Sequence, residues 1–238
     1  MQPSAPTDDW RRQLGLRLRT LWRWKATADT LGIALFFCGY FWVMRHPVGR
    51  VTVMPLTPVD GWFSFWPAAF AAYVSLWVYV VAAPALARDR RELLAVGGAS
   101  LAISLAGFAL FMIFPTEVPP APVDWSRHPQ MQFLKSVDVS GNACPSLHVA
   151  FAVFTACVVA RQLRAIGAPG WLRGTNVVWC LAIVHSTLAT HQHVVWDVVA
   201  GGLLGAAGVA LHHRLAGWPL VRAARRPALR AAQPAAPG

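Results

Sequence analysis

The stretch LLAVGGASLAISLAGFALFMIF, residues 93–114, contains no charged side chain. It is long enough to cross a bilayer as a helix, which needs about 20 predominantly apolar residues. Two further runs, Trp62–Leu86 and Val194–Leu211, meet the same requirement. Three weaker runs carry more polar residues, as expected where a site lies inside a helix bundle: Ala26–Met44, Pro145–Leu163 and Gly174–Thr190. The sequence therefore predicts an all-α polytopic membrane protein with a bundle of six transmembrane helices.

The composition of the 238 residues agrees with this class. Charged residues make up 13% of the chain and hydrophobic residues 56%, whereas a soluble domain carries about 25% charged residues. The net charge of +11 is compatible with nucleic-acid binding in general. Here, however, the basic residues lie between apolar runs and in the tails, so we expect no nucleic-acid partner. The four cysteines form no CxxC pair and indicate neither a metal site nor a disulfide framework.

The distribution of basic residues orients the six predicted spans. Of the 21 Lys and Arg residues, 17 fall in the two tails and in the loops after spans two and four. The positive-inside rule therefore places both termini in the cytoplasm. We predict a basic cytoplasmic tail over residues 1–25, a six-helix membrane domain over residues 26–213 and a basic, disordered cytoplasmic tail over residues 214–238. The protein is predicted to be a multi-pass protein of an inner or plasma membrane.

Two short stretches concentrate the unusual polarity: CPSLH at residues 144–148 and STLATHQHVVWD at residues 186–197. The predicted topology places both on the non-cytoplasmic side. Within the second stretch, His193 and Asp197 are four residues apart and share one helix face. A carboxylate that accepts from one imidazole nitrogen leaves the other nitrogen as a directed nucleophile or base. The same pair could instead act as a structural helix cap.

A metal site built from His191, His193 and Asp197 is the alternative to this chemistry. Because His191 and His193 are two apart and diverge on a helix, we predict no metal and no cofactor. Each polar stretch also begins a predicted span, with Pro145 in the first turn of span four. Helix starts favour anions such as phosphate, and Ser146 and His148 lie at one of them. Two further groups of residues need no chemical role. We predict four interfacial histidines: His46, His128, His212 and His213. We also predict a close-packing face on span six, formed by Gly201, Gly202, Gly205 and Gly208.

These residues resemble the type-2 phosphatidic acid phosphatase superfamily of membrane lipid phosphatases. One signature of that family reads Pro-Ser-x-His and is matched by Pro145-Ser146-Leu147-His148. Another reads Ser-Arg-x5-His-x3-Asp and is matched in spacing by Ser186, His193 and Asp197. The resemblance covers roughly residues 55–212. The surroundings of the two stretches look closer to the inositol phosphorylceramide synthase-like branch of the superfamily.

The resemblance implies a metal-independent reaction with three catalytic residues. His193 would attack phosphorus and form a phosphohistidine, with Asp197 orienting it. His148 would protonate the leaving alkoxide, and water would then release phosphate. The substrate would be a membrane lipid phosphate, either a phosphatidic acid-like phosphomonoester or an isoprenyl pyrophosphate.

The chain departs from the family pattern where phosphate would be held. Thr187 stands at the arginine position of the second signature, and His191 is the nearest cationic substitute. The basic signature expected after span three is absent from Phe114–Pro122, which leaves Arg127 and Lys135 in the same loop as candidates. The expected substrate-binding residues are those of the two stretches and this loop: Ser146, Ser186, Thr187, His191, Arg127 and Lys135.

Three functional hypotheses follow from these residues. The first is a lipid phosphate phosphatase that acts at the outer membrane face. The second is a lipid phosphotransferase with the same His/His/Asp chemistry, in which an alcohol replaces water as acceptor. The third is a catalytically silent lipid-binding or scaffold protein, which the missing arginines motivate. No residue pattern in the chain selects an acyl over an isoprenyl chain, or one oligomeric state over another.

Overall fold

The computed structural model describes residues 9–132 and 141–217, and these are predominantly helical. The third helix is built from a short 3-10 turn followed by three helical segments. The main helices are α1 Asp9–Arg19, α2 Trp22–Arg45, α3 Pro67–Ala85, α4 Arg90–Ile113, α5 Leu147–Ala165, α6 Gly170–Ala189 and α7 Val195–Ala216.

Within the described residues, five helices are long and apolar enough to cross a membrane: α2, α3, α4, α5 and α7. The predicted multi-pass membrane protein is thus supported. The predicted fifth span corresponds to α6, which is not among the five although it is 20 residues long. Its polar residues lower its mean hydropathy, and they include Arg173, Asn176 and His185.

Several predicted boundaries differ from those observed. Span two was expected to begin at Trp62, but α3 begins at Pro67, because Trp66 donates its amide to the carbonyl of Ala189 over 2.8 Å and packs across the end of α6. Pro145 was expected inside the first turn of span four. Instead it precedes the N-cap residue Ser146, because the Ser146 hydroxyl accepts the amide of Val149 and starts the helix one residue later.

A short parallel strand pair adds to the all-α prediction. Strand β1 (Thr52–Val53) pairs with strand β2 (Thr116–Glu117). The approach to α5 is tied to the same place, because Ala143 donates its amide to the Thr116 carbonyl over 3.0 Å and Cys144 donates to the Thr116 hydroxyl over 2.8 Å. The loops after α2 and α4 therefore converge at the start of α5.

Glycines on α7 allow it to pack closely against α5 and α4. An added Cβ at Gly201 would collide with the carbonyl oxygen of Ser146, and one at Gly205 would collide with that of Ala150. Gly208 faces Ile103 of α4 in the same way. The predicted close-packing face is confirmed at these three positions. It is wrong at Gly202, where an added Cβ meets no atom within 4 Å, because this residue points away from α5.

A buried lysine bonds the helices together at the end of the bundle opposite to the start of α5. Lys25 is 4% exposed, and its Nζ donates to the carbonyls of Arg17, Ala85 and Ala87 over 2.6, 2.8 and 2.8 Å. It therefore satisfies carbonyl groups at the ends of α1 and α3 that would otherwise lack partners. The predicted tail over residues 1–25 thus contains α1 and the first turn of α2. The predicted C-terminal tail beyond Gly217 lies outside the described residues.

Candidate active site

His193 and Asp197 meet at the start of α7. The Nδ1 of His193 lies 3.4 Å from Oδ2 of Asp197, at the long end of hydrogen-bond distances. The His193 side chain is 10% exposed, and the Asp197 side chain is fully buried. The same Oδ2 accepts the amide of Val194 over 3.0 Å, which fixes the carboxylate. The other oxygen, Oδ1, has no hydrogen-bond partner within residues 9–132 and 141–217.

The turn between α6 and α7 sets the position of His193. The amides of Gln192 and His193 both donate to the carbonyl of Thr187 over 3.1 Å, which closes the end of α6. His191 adopts a left-handed backbone conformation with φ of 52°, a region uncommon outside glycine. The chain reverses within this turn, and His193 is thereby held beside the first turn of α7.

The starts of α5 and α7 are joined directly through the backbone. The amide of Ser146 donates to the carbonyl of Asp197 over 3.0 Å. Ser146 is fully buried, and its hydroxyl accepts the amide of Val149 over 3.3 Å. The two polar stretches are thus in contact through Ser146 and Asp197, which are 51 positions apart in the sequence. This contact agrees with the prediction that the two stretches lie on the same face of the membrane; which face that is stays a prediction.

His148 lies in the first turn of α5, between aromatic rings of α3. Its ring stacks on that of Tyr73 with centroids 4.0 Å apart, and the ring of Trp77 meets it edge-on at 5.9 Å. The buried Nε2 atom makes no hydrogen bond to any described residue. The bond between Ser146 and Asp197 places His148 and His193 at adjoining helix starts. The rings of α3 therefore fix the plane of His148 and leave one nitrogen for a ligand.

The two hydroxyl residues at the end of α6 bond within their own helix. Ser186 donates to the carbonyl of Ile183 over 2.6 Å, and Thr187 donates to that of Val184 over 2.8 Å. Both residues are fully buried. Their hydroxyl protons are thus engaged by the helix, although the positions match the expected signature. The Thr187 carbonyl contributes to the site by holding the turn that carries His193.

Two further candidates for phosphate binding, His191 and Arg127, are each engaged by other described residues. The Nε2 of His191 is 3.2 Å from the carbonyl of Phe63, and its ring packs on Phe65, which also contacts Trp125 and His128. Arg127 is 81% exposed and pairs with Asp124 over 3.3 Å. Lys135 lies outside the described residues.

Asp60 is a site residue that the sequence reasoning missed. Its Oδ1 accepts the amide of Val195, in the first turn of α7, over 2.8 Å, and its Oδ2 accepts the amide and hydroxyl of Thr57 over 2.7 Å each. Burial alone would raise the pKa of Asp60, but the hydrogen bonds from Thr57 and Val195 outweigh it and lower that pKa. A local signal existed, because the spacing Thr57-x-x-Asp60 is typical of a side-chain turn before a helical segment.

The start of α7 therefore has less capacity for an anion than the sequence predicted. The amide of Val194 donates to Asp197, and the amide of Val195 donates to Asp60. At the start of α5, by contrast, the amides of Leu147 and His148 have no acceptor among the described residues. Also within the described residues, no group of three or more His, Cys, Asp or Glu side chains is arranged to hold a metal ion.

Comparison with known proteins identifies the family. No curated protein and no solved structure matches the chain at a significant level. The family model described as the PAP2 superfamily matches residues 92–219. That region contains α4 to α7 and both polar stretches, so it includes His148, His193 and Asp197. Since the match covers more than half of the 238 residues, the chain belongs to the PAP2 superfamily.

Proposed function

We propose that the protein is a metal-independent lipid phosphate phosphatase, which hydrolyses a phosphomonoester or pyrophosphate of a membrane lipid. Members of the PAP2 superfamily are in general phosphatases and phosphotransferases. Because several helices of the chain are apolar enough to lie in a membrane, membrane lipids are the phosphate esters that would reach its site. The observation that carries the proposal is the contact of His193 Nδ1 with Asp197 Oδ2, together with the bond from Val194 that holds this carboxylate.

This contact supports distinct roles for the two residues. When the Nδ1–H of His193 donates to Asp197, the lone pair at Nε2 is left free to attack phosphorus. The buried carboxylate stabilises the positive charge that the imidazole gains as the P–N bond forms. Asp197 is therefore an orienting and charge-stabilising residue, and His193 is the nucleophile.

His148 serves as the general acid and then as the general base. As the Nε2–phosphorus bond of His193 forms, the bond between phosphorus and the leaving oxygen breaks, and protonated His148 gives its proton to that oxygen. The leaving group is the lipid alkoxide of a phosphomonoester, or the lipid monophosphate of a pyrophosphate. A water molecule then attacks the phosphohistidine and passes a proton to His148. The P–N bond breaks, inorganic phosphate leaves, and both histidines return to their starting states. The Nε2 of His148, which has no acceptor among the described residues, is the atom that carries this proton.

The phosphate group in this proposal is held mainly at the start of α5. The amides of Leu147 and His148 point from this helix start, where the helix dipole favours an anion. The hydroxyl of Ser146, which accepts its bond from Val149, keeps a proton to donate. His191 lies in the turn before His193 and is the nearest candidate for a further contact with the phosphate. These groups replace the arginines that the family pattern would supply.

The proposed topology retains six spans with both termini in the cytoplasm. At about 1.5 Å per residue, the 20 residues of α6 extend for roughly 30 Å, so its length suits a sixth span although its mean hydropathy is lower. The site then lies on the non-cytoplasmic side of an inner or plasma membrane. An alkaline phosphatase reporter fused after Lys135 should be active, whereas an inactive fusion there would overturn this placement.

The central experiment measures both products with purified protein. Phosphatidic acid and an isoprenyl pyrophosphate are supplied with a chelator present, and free phosphate and new lipids are quantified. We expect chelator-resistant phosphate release that falls by about 10³-fold or more in His193→Ala. His46→Ala is the matched control, because the His46 side chain is exposed and its contacts among the described residues are with the carbonyl and the ring of Trp42.

The other two hypotheses are distinct outcomes of the same experiment. A new phosphodiester that forms only when an alcohol acceptor is added would identify a phosphotransferase. Binding of these lipids without turnover of any of them would leave a lipid-binding scaffold. A separate experiment uses a lipid whose phosphate is radiolabelled and stops the reaction with alkali, which phosphohistidine withstands. We expect label on the wild-type protein and no label on His193→Ala.

A further inference from the structure

A cavity of about 560 Å³ lies between α2 and the rest of the bundle, a size within the roughly 300–1,000 Å³ typical of ligand pockets. Its walls come from α2, α3, α4 and α5, and most of the side chains that line it are apolar. Phe36 of α2, Phe108 of α4 and Phe151 of α5 pack around it. None of the proposed catalytic residues lines this cavity.

The cavity is open toward the lipid side of the bundle. Four large aliphatic residues that line it are also exposed on the surface of the protein. Two belong to α2 and two to α4: Leu31, Leu35, Leu101 and Leu105, with exposed fractions of 57%, 71%, 58% and 57%. Because these helices span the membrane, the opening between α2 and α4 faces hydrocarbon. Apolar cavities exclude water. Because this one opens toward the bilayer, the hydrocarbon chain of a lipid is what we expect to enter it.

One end of the cavity adjoins the active site. Trp77 of α3 lines the cavity, and its ring meets the ring of His148 at 5.9 Å. Phe151, one turn after His148 on α5, lines it as well. The other end reaches Ala28 and Asp29, near the beginning of α2. From Gly39 to Ala28 the lined part of α2 extends for roughly 16 Å at about 1.5 Å per residue.

We infer that this cavity binds one hydrocarbon chain of the lipid substrate, which enters from the bilayer between α2 and α4. The chain would run along α2 with its phosphate end beside His148 and its tail directed toward Asp29. Trp77 would then separate the hydrocarbon from the reacting phosphate while it contacts both. This inference rests on the proposed function, since it concerns the substrate of that site. It adds that binding energy from the chain positions the phosphate, as remote parts of a substrate do in general.

Two glycines allow the cavity to be filled without disturbing packing. Gly32 of α2 and Gly97 of α4 line the cavity, and an added Cβ at either position meets no atom within 4 Å. Gly202 of α7 is equally open but does not line the cavity. Gly32→Phe and Gly97→Phe are therefore the test variants, and Gly202→Phe is the matched control. The two test variants lie on different helices, so the experiment can still be read if one of them fails to fold.

The kinetic experiment compares dioleoyl with dihexanoyl phosphatidic acid, and farnesyl with isopentenyl pyrophosphate. In Gly32→Phe and Gly97→Phe, we expect kcat/KM for the long-chain member of each hydrolysed pair to fall at least about tenfold. Turnover of the short-chain member should be unchanged, and Gly202→Phe should change neither. Equal losses for long and short chains, or no loss in either cavity variant, would overturn the inference. If wild-type protein hydrolyses none of these lipids, the proposed function fails instead.

A binding experiment separates the two failures, because it needs no turnover. Phosphatidic acid with a diazirine near the end of one chain is photolysed with the His193→Ala variant in bilayers. We expect crosslinks on α2 and α4 near Leu35 and Leu101, which disappear when Gly97→Phe is added and persist with Gly202→Phe. Competition by excess phosphatidic acid, but not by diacylglycerol, should remove them. Equal competition by both lipids would assign the cavity to a structural lipid and overturn the inference.

Discussion

Asp60 accepts a hydrogen bond from the backbone amide of Val195 over 2.8 Å, across 135 positions of sequence. This bond joins the segment before α3 to the first turn of the helix that carries His193 and Asp197. The second carboxylate oxygen of Asp60 is occupied by Thr57, so the side chain is held from both sides. The start of α7 is thereby fixed to the segment before α3 as well as to α5.

The first prediction concerns Asp60→Asn. The amide keeps one acceptor for Val195 but presents an NH₂ group to the donors of Thr57, so we expect a stability loss of about 1–3 kcal/mol and a lower kcat. Asp124→Asn is the control, because Asp124 is exposed and pairs with the exposed Arg127. Thermal unfolding and phosphate release measure the two effects. Unchanged values for both would show that the contact contributes nothing.

Asp60 also makes stability depend on pH. Because its pKa is lowered in the folded protein, its contribution is present above the unfolded-state pKa of about 3.9 and is lost as the pH falls through the lower folded value. The stability difference between wild type and Asp60→Asn should therefore narrow as the pH falls below about 4. Thermal unfolding across a pH series measures this, and a difference that widens at low pH would contradict the assignment.

Asp197→Asn should separate orientation from folding. Asparagine can still accept the amide of Val194, but it cannot stabilise a positively charged His193 as a carboxylate does. We expect kcat to fall by roughly 10²–10⁴-fold with a nearly unchanged melting temperature. Asp197→Ala should lose stability as well, because the Val194 amide then loses its acceptor. Full activity in Asp197→Asn would show that the pair acts only as a helix cap.

Gly201→Ala and Gly202→Ala form a matched pair on α7. A methyl group at Gly201 collides with the carbonyl of Ser146, so it should cost about 1–3 kcal/mol and separate the helix starts that carry the site. At Gly202 the same methyl group meets open space, and the better helix propensity of alanine should raise stability by roughly 0.5–1 kcal/mol. Unfolding curves and phosphate release distinguish them, and equal behaviour would contradict the packing described.

Cys144 offers a chemical measure of the site's electrostatics. Burial and the negative charge of Asp197 raise the pKa of its thiol to about 11. At pH 8 its alkylation by iodoacetamide should therefore be roughly 100-fold slower than that of an unperturbed thiol. The rate should rise with pH and should increase in Asp197→Asn. Peptide mass spectrometry distinguishes Cys144 from the cysteines in the helices. Rapid labelling at pH 8 would contradict the burial of the thiol.

The sequence predicted most of what depends on local pattern. Apolar length predicted six spans, and five of them correspond to described helices that are long and apolar enough to cross a membrane. The spacing of His193 and Asp197 predicted their contact. It did not reveal that α3 begins only at Pro67, because Trp62–Trp66 is apolar yet folds over the end of α6. Hydropathy alone cannot distinguish an apolar helix that crosses the membrane from an apolar segment that packs over the end of a neighbouring helix.

The remaining differences arise from contacts between distant residues. Asp60 accepts the amide of Val195, at a helix start that the sequence predicted to be available for phosphate. No local spacing links residues 60 and 195. The direction of the Ser186 and Thr187 hydroxyls is set by carbonyl groups one turn earlier in α6. Such bonds depend on side-chain rotamers, which a motif does not specify.

The bond between the Ser146 amide and the Asp197 carbonyl uses main-chain atoms only. Every amino acid except proline brings the same donor to position 146, and every amino acid brings the same acceptor to position 197. This particular bond between the two helix starts is therefore available whichever side chains stand at positions 146 and 197, with proline at position 146 as the exception. Substitutions at these two positions can therefore remove a side-chain cap or the carboxylate beside His193 while this one link between the helices remains.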